Sequence, residues 1–260
     1  MSQSSYNPEF YKPLFAIEDR HFWFQGRNLV ISTIVKQVLS ILPAGFRLLE
    51  VGCGNGNVLR VLEMLCAEGS VIGMDLFNDG LRHAQMRTDC PLVQGDVQLP
   101  PFSVPFDLIG LFDVLEHLQD DLEILDGLNK LLTFQGVLLL TVPADPSLWS
   151  YFDIGHYRRY KLDELEHKLL ITGYRIEYIT HYMLSIYPIV WLGRRLAMRT
   201  DQIIRRGESD SFNLAKSELR ILPVVNELIR LLLALEVPMI AKHSRLPLGT
   251  SILAVARKNS

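Results

Sequence analysis

The chain has 260 residues, with 29 acidic and 26 basic side chains and a formal net charge of −3. That balance, with a pI near 6.2, excludes the broad basic footprint of a nucleic-acid binder. The length suits one substantial core with a modest accessory lobe, and a mean hydropathy of +0.17 is on the apolar side for a soluble domain.

The opening segment, MSQSSYNPEFYKP, is polar and lacks the basic-then-apolar layout of a signal peptide. No stretch reaches the ~18 uninterrupted apolar residues of a spanning helix. Cys53, Cys66 and Cys90 are odd in number and show no paired ligand spacing, so neither a disulfide framework nor a metal site is expected. A reducing, cytoplasmic setting fits this cysteine usage.

Residues 1–44 read as helical and carry an aromatic cluster, His21-Phe22-Trp23-Phe24, followed by Arg27. From Arg47 the pattern changes. Short apolar runs alternate with helix-like segments: Arg47–Val51 then Val58–Cys66, Ser70–Asp75 then Asp79–Arg87, Leu92–Val97, Phe106–Phe112 then Leu118–Leu132, and Gly136–Val142. Runs of this length bounded by Gly, Asp and Pro are the mark of buried parallel strands, and their alternation with helices predicts an α/β doubly wound sheet. After Pro143 comes a loop with Trp149, Tyr151, His156, Arg158 and Arg159, then a helix over Leu162–Ile171 and a strand over Tyr174–His181. A last strand is expected over Ser251–Arg257. The intervening stretch of about 65 residues reads as helical and is longer than a simple connection.

Chemistry concentrates first in Leu48-Leu49-Glu50-Val51-Gly52-Cys53-Gly54-Asn55-Gly56-Asn57. An apolar strand runs into glycines at alternate positions, then into a helix starting near Asn57. Glycine permits positive φ and close approach of a ligand to the backbone. The N–H groups at the helix start favour a negative or electron-rich partner, and the end of a first strand is where an open α/β sheet binds ligands. Asp75 ends the next strand, where its carboxylate can accept from two ribose hydroxyls. Asp96 ends the third, and Phe112-Asp113-Val114-Leu115-Glu116-His117 closes the fourth. Four strand ends thus bring polar residues to one sheet edge. A nicotinamide-binding loop spaces its glycines as G-x-G-x-x-G; here the third glycine follows the second by two residues, and Glu50 precedes the loop.

On these residues the sequence resembles the class I S-adenosylmethionine-dependent methyltransferases, in the methyltransferase-domain group that includes the ubiquinone- and menaquinone-type enzymes. Glu50-x-Gly52-x-Gly54-x-Gly56 is similar to their glycine motif, Asp75 to their ribose-binding acid, Gly95-Asp96 to their adenine motif, and Leu115-Glu116-His117-Leu118 to the stretch after their fourth strand. His21 to Arg27 and His156-Tyr157-Arg158-Arg159-Tyr160 also look like a bacterial subgroup. The resemblance covers about residues 45–180 plus the last strand. It implies a Rossmann-like, seven-stranded domain over 45–181 and 250–260, an N-terminal helical lid over 1–44 and a helical cap inserted at 182–249. It further implies S-adenosylmethionine as cofactor and S-adenosylhomocysteine as product.

The implied contacts are Glu50, Gly52, Cys53, Gly54, Asn55, Gly56, Asn57, Asp75, Leu76, Asp96, Val97, Phe112, Asp113, Val114 and His117, with Trp23 and Arg27 from the lid. Within this set Glu50 would orient the loop or meet the methionine ammonium, Asp96 and Val97 would frame the adenine, and Arg27 would lie near the methionine carboxylate. Asn55 stands where many relatives carry Thr or Ser, and its tolerance of left-handed backbone makes that a mild change.

Methyl transfer from a sulfonium needs a base only when the nucleophile must lose a proton, and histidine is the commonest choice. His117 and His156 are the candidates. Trp149, Tyr151, Tyr157, Arg158 and Tyr187 are the candidate acceptor contacts. Arg158 and Arg159 could grip an anion, or pair with helix acids such as Asp163 and Glu164. His83, His167, His181 and His243 show no ligand spacing.

In the insert, the apolar run Tyr182–Leu192 is broken by Pro188 and followed by Arg194, Arg195, Arg199, Arg205 and Arg206, and Leu228–Leu235 is again apolar. Two readings stay open: a cap packed on itself or in a homodimer, and an interfacial surface over 182–241 that meets the inner face of a membrane. The expected activity is methylation of a small, apolar or lipid-linked acceptor, with no nucleic-acid partner. A cofactor-binding regulator and a cyclase-like relative of the same fold are the alternatives.

Overall fold

The computed structural model describes residues 6–149, 153, 155–201 and 220–259, with the side chains of 197–201 outside the description. Tyr151, Arg205 and Arg206 therefore lie outside the described residues. Seven strands form one sheet: β1 (Arg47–Val51), β2 (Ser70–Asp75), β3 (Leu92–Gln94), β4 (Phe106–Phe112), β5 (Leu132–Pro143), β6 (Tyr174–Tyr182) and β7 (Ser251–Lys258), in the order β3-β2-β1-β4-β5-β7-β6. The first five run parallel, and β7 is antiparallel to both neighbours. This is the Rossmann-like, seven-stranded sheet that the sequence resemblance implies. From β1 the chain winds outward to β2 and β3, then returns to place β4 on the other side. The crevice at the carboxyl ends of β1 and β4 is the topological switch point where such sheets bind ligands.

Both faces are covered. Val137 and Leu139 of β5 join one core, packed on Ile31, Ile34 and Val35 of α2 (Phe22–Leu39) and Leu59 and Leu62 of α3 (Asn57–Leu65). Leu138 and Leu140 join the other, against Ile124, Leu125 and Leu128 of α5 (Asp121–Leu131) and Leu165 and Leu169 of α6 (Leu162–Ile171). Alternate residues thus serve opposite faces, and burial on both explains the unbroken apolar runs. The remaining α-helices among the described residues are α1 (Tyr11–Ile17), α4 (Asn78–Ala84), α7 (Tyr187–Asp201), α8 (Pro223–Ala234) and α9 (Val237–Ala241).

Several boundaries differ from expectation. Strand β3 stops at Gln94 rather than Val97, so Asp96 lies in the loop two residues beyond it. The predicted helix over Leu118–Leu132 is a 3-10 turn, Leu115–His117, followed by α5, whose first turn holds Asp121 and Glu123 against the helix dipole. Strand β5 begins at Leu132, not Gly136, because a register irregularity between Phe106 and Leu108 lets Leu132 pair ahead of the main ladder. Pro188 does not break the Tyr182–Leu192 run. Tyr182 ends β6, and Pro188 is the second residue of α7, where its missing N–H costs no helical bond.

Helices α8 and α9 pack on α2. A Cβ on Gly26 would come within 2.8 Å of Leu233. Asn226 accepts from the Phe22 N–H at 2.8 Å and donates to Arg20 O at 2.9 Å. Glu236, 5% exposed, accepts the N–H groups of Leu184 and Ser185. Among the described residues no helix is long and apolar enough to cross a membrane.

Candidate active site

The loop after β1 takes its shape from its glycines: Gly52, Gly54 and Gly56 all have positive φ, at 70°, 50° and 74°. A side chain on Gly52 would collide with Val114. The N–H groups of Gly52 and Cys53 bond to Met74 O, and the Gly54 N–H bonds to Asp75 Oδ2 at 2.8 Å. The loop is thereby fastened to the end of β2, which is why the glycine motif and Asp75 work as a unit. Asn55 does not use its tolerance of left-handed backbone. It holds the cover instead, donating to Tyr11 O at 2.9 Å and Glu18 Oε1 at 3.3 Å.

Beside this loop lies a cavity of about 660 Å³. At one end its wall includes Glu50, Gly52, Cys53, Gly54, Asn55, Asn57, Asp75, Leu76, Asp96 and Val97, with Phe112, Asp113, Val114 and His117 from the end of β4. Asp75 and Asp96 therefore share one rim. Gly56 departs from the expected set: it sits behind the wall as the N-cap of α3, where a Cβ would press on Ala84 at 3.0 Å.

Asp75 is buried and accepts from Gly54, from the Phe77 N–H at 2.9 Å and from the Tyr11 hydroxyl at 3.0 Å. Burial raises its pKa against these donors. Glu50, 2% exposed, faces the same cavity, and its Oε2 has no hydrogen-bond partner among the described residues. Burial pushes its carboxyl up to about 8. A buried acid without a partner, beside a glycine cradle and a ribose-type acid, fits the ammonium, backbone-accepting groups and ribose of S-adenosylmethionine. Cys53, 4% exposed, is an inert thiol, its pKa raised by burial.

The N-terminal segment covers this end. Arg87 ties Glu18 to the loop and stacks over Phe15 at 4.2 Å. Tyr6, Tyr11, His21 and Trp23 line the cavity. His21 caps α2 by accepting from the Trp23 N–H at 3.2 Å, and burial lowers its pKa to about 4. Arg27 also lines the cavity, but it is committed within the protein, to Asp113 Oδ2 at 2.9 Å and Asn57 Oδ1 at 3.3 Å.

The opposite end gathers residues from the turn after β4 and the loop after β5: Glu116, His117, Asp153, His156 and Arg159. The two imidazoles meet edge to face, 4.5 Å between centroids. His117 Nδ1 lies 2.8 Å from Gly155 O, so it carries the proton, and burial holds the ring's pKa down at about 3. His156 Nδ1 lies 3.2 Å from Asp153 Oδ1. Asp153 is itself held by Arg159 at 2.9 Å, which with His156 keeps its carboxyl at about 2 despite burial. Glu116 is 1% exposed, and burial, then the charge of Asp113, raises its pKa well above the carboxylate range.

The expected acceptor contacts are mostly elsewhere. Trp149 and Tyr157 are exposed and off the wall, and Tyr187 donates to Asp145 from α7. Arg158 faces outward, pairing with Asp121 at 2.6 Å rather than with Asp163 or Glu164. Its neighbour Arg159 points inward instead, since consecutive side chains of an extended segment face opposite ways. Asp153, His156 and Arg159 recur at intervals of three, a signal the sequence carried. Tyr6 and Tyr11 had none beyond being aromatic, and Glu116 was visible only as part of a motif.

Comparison with known proteins agrees with this geometry. A malonyl-[acyl-carrier protein] O-methyltransferase of Legionella pneumophila is 32% identical over 110 residues, covering 40% of this chain and 38% of the relative. A ubiquinone biosynthesis O-methyltransferase of Psychrobacter arcticus is 28% identical over 122 residues, covering 43% and 47%. The chain thus spans less than half the length of these two relatives. Among solved structures, the plantazolicin methyltransferase BpumL bound to S-adenosylhomocysteine superposes with a TM-score of 0.61 at 14% identity, covering 98% of this chain and 91% of that one, a likeness of fold. The methyltransferase-domain family matches residues 22–179, which is well over half the chain and contains the ends of β1, β2 and β4 that line the cavity. The chain belongs to that methyltransferase-domain family, and its sheet has the fold of the class I S-adenosylmethionine-dependent methyltransferases.

Proposed function

We propose that the enzyme methylates an oxygen of a small, largely apolar acceptor that enters at the His117–His156 end of the cavity. The observation carrying this reading is that Asp153, His156 and Arg159 converge on one cavity with the glycine loop, Asp75 and Glu50 at its other end. Both curated relatives are O-methyltransferases by name, which supports an oxygen nucleophile.

Bound S-adenosylmethionine supplies a methyl group already activated on sulfur. The protein's share is then to hold the nucleophile in line with it, worth up to roughly 7–11 kcal/mol for well-oriented partners. Gly54 and Asp75 bind and orient the ribose side, Asp96 and Val97 the adenine side, and Glu50 the ammonium. Tyr6, Tyr11, His21 and Trp23 exclude water from above. His156, backed by Asp153, acts on the acceptor's proton-bearing atom, whereas His117 is held neutral by burial. The stretches 1–44 and 182–249 serve as lid and cap around the 45–181 and 250–260 domain.

The insert supports the apolar acceptor. Ile189, Leu192 and Leu196 of α7 and Val224, Leu228, Leu231 and Leu235 on or beside α8 are exposed, with Arg195 stacked 4.3 Å over Trp191. Such a surface suits peripheral contact with an anionic leaflet that delivers a lipid-linked acceptor. Co-flotation of the full chain with anionic but not neutral vesicles tests that contact.

The activity is tested by S-adenosylhomocysteine release across a panel of lipophilic phenols and carboxylic acids. Release with one class supports the proposal. Tight S-adenosylhomocysteine binding with no turnover of any acceptor favours the regulator, and acceptor conversion without S-adenosylhomocysteine favours a cyclase-like enzyme.

A further inference from the structure

Three side chains at the acceptor end, Glu116, His117 and His156, each place one ligand atom within 4.8 Å of the other two. Metal–nitrogen and metal–oxygen bonds of about 2.0–2.2 Å bring ligand atoms roughly 3–4 Å apart, so modest side-chain rotations would close the set on one ion. Three further observations point the same way.

Glu116 Oε2 is buried without a hydrogen-bond partner among the described residues, a costly state for a carboxylate unless a charge meets it. The nearby cations are already committed: Arg159 to Asp153 and to Ala144 O, and Arg27 to Asp113. Neither guanidinium bonds Glu116 Oε2, and the charge of Arg159 does not offset the burial that raises the Glu116 pKa. Next, the Nδ1–H of His117 donates to Gly155 O at 2.8 Å. That fixes the tautomer with the lone pair on Nε2, the arrangement in which metal-binding imidazoles are held. Finally, His156 Nδ1 faces Asp153 Oδ1 at 3.2 Å, and Arg159 anchors that carboxylate. This is the carboxylate–histidine orientation that supports a ligand from behind.

We propose that Glu116, His117 and His156 form a binding site for one divalent transition-metal ion, with its open positions facing the acceptor. Two imidazoles and one carboxylate are the donor set of catalytic zinc and non-haem iron sites, both of which keep open positions for substrate. The inference rests on the proposed O-methylation and narrows it to acceptors whose hydroxyl can bind a metal. A hydroxyl on such a cation is acidified. Its proton leaves to water, and its oxygen keeps the electron pair that forms the new bond to the methyl carbon. The methyl–sulfur bond breaks with its pair left on the sulfur of S-adenosylhomocysteine, so no oxidant or reductant is needed. His156 would then act on the acceptor through the cation. The site departs from the metal-free expectation of the sequence because 39 positions separate His117 from His156.

The test is calorimetric titration of the chelator-stripped full chain with Zn²⁺, paired with the visible spectrum of the Co²⁺-loaded protein. One equivalent should bind with micromolar or tighter affinity, with Co²⁺ bands typical of nitrogen ligation. Glu116→Gln and His156→Gln should each weaken binding by about 100-fold or more, beyond the roughly 10–100-fold loss typical of changes around a site. His167→Ala, on the exposed face of α6, should not alter it. S-adenosylhomocysteine affinity retained in the variants shows that they fold. Zn²⁺ bound equally well by Glu116→Gln would overturn the site. So would methyl transfer that persists after exhaustive chelation with no cation bound, a result that leaves the O-methyltransferase reading intact.

Discussion

The two ends of the cavity are built on different principles. At the donor end, the shape comes from backbone. Three glycines at positive φ and the N–H groups of Gly52, Cys53 and Gly54 are fixed to β2 within 25 residues of chain. At the acceptor end, the shape comes mainly from side chains of two segments that meet across 38 positions: His117 Nδ1 bonds Gly155 O, His117 meets His156, and Asp153 holds Arg159. The Tyr157 N–H bonds Glu116 O at 2.7 Å and joins the segments. A backbone site tolerates little variation and recurs as a motif. A side-chain site can be reassigned residue by residue, and this is the end to which the proposed function assigns the acceptor.

The largest effect should separate the two ends. His156→Gln and Asp153→Asn should lower kcat by about 10²–10⁴-fold, the range for losing a group that acts on the transferred proton. S-adenosylhomocysteine affinity should stay unchanged. Equal losses in both quantities would mean the ends are not separable. Conversely, Asp75→Ala should weaken S-adenosylhomocysteine binding by about 10²–10³-fold, as expected for losing charge-assisted hydrogen bonds to ligand and loop. Unchanged affinity in a calorimetric titration would remove Asp75 from its role.

Stability should divide along the same line. Arg159→Met strands the buried Asp153 and should cost about 3–5 kcal/mol in denaturant unfolding. Arg158→Ala breaks a partly exposed pair with Asp121, which Lys168 still neutralises at 2.6 Å, and should cost about 1 kcal/mol or less.

Protonation offers a subtler test. The Glu50 carboxyl is raised from 4.5 to about 8 in the fold. Between those pH values the folded chain holds a proton that the unfolded chain has lost, so ligand-free stability should fall as pH rises through that window. An ammonium beside Glu50 favours its ionised form. Binding should therefore release a proton, and affinity should rise with pH up to about 8, by at most about tenfold per unit. Glu50→Gln should flatten that slope, as calorimetry in buffers of different ionisation enthalpy would show. The smallest effect belongs to Trp149→Ala and Tyr157→Ala. Both side chains are off the cavity wall, and acceptor KM should barely move.

Local sequence determined much of this protein. The seven strands, the glycine loop, Asp75 and Asp96 were legible because each depends on short-range rules: short apolar runs buried on both faces, glycine's access to positive φ, and an acid at or just beyond a strand end. Most of the expected cofactor contacts line the cavity, with Gly56 the exception. Tertiary structure alone decided which of Arg158 and Arg159 faces inward, that Arg27 is spent on Asp113, that Tyr6 and Tyr11 close the site, and that His117 meets His156. Those outcomes depend on where a loop between β5 and α6 and an N-terminal segment come to rest against β4. Such contacts are fixed by packing and charge compensation between distant residues, for which no local pattern exists to be read.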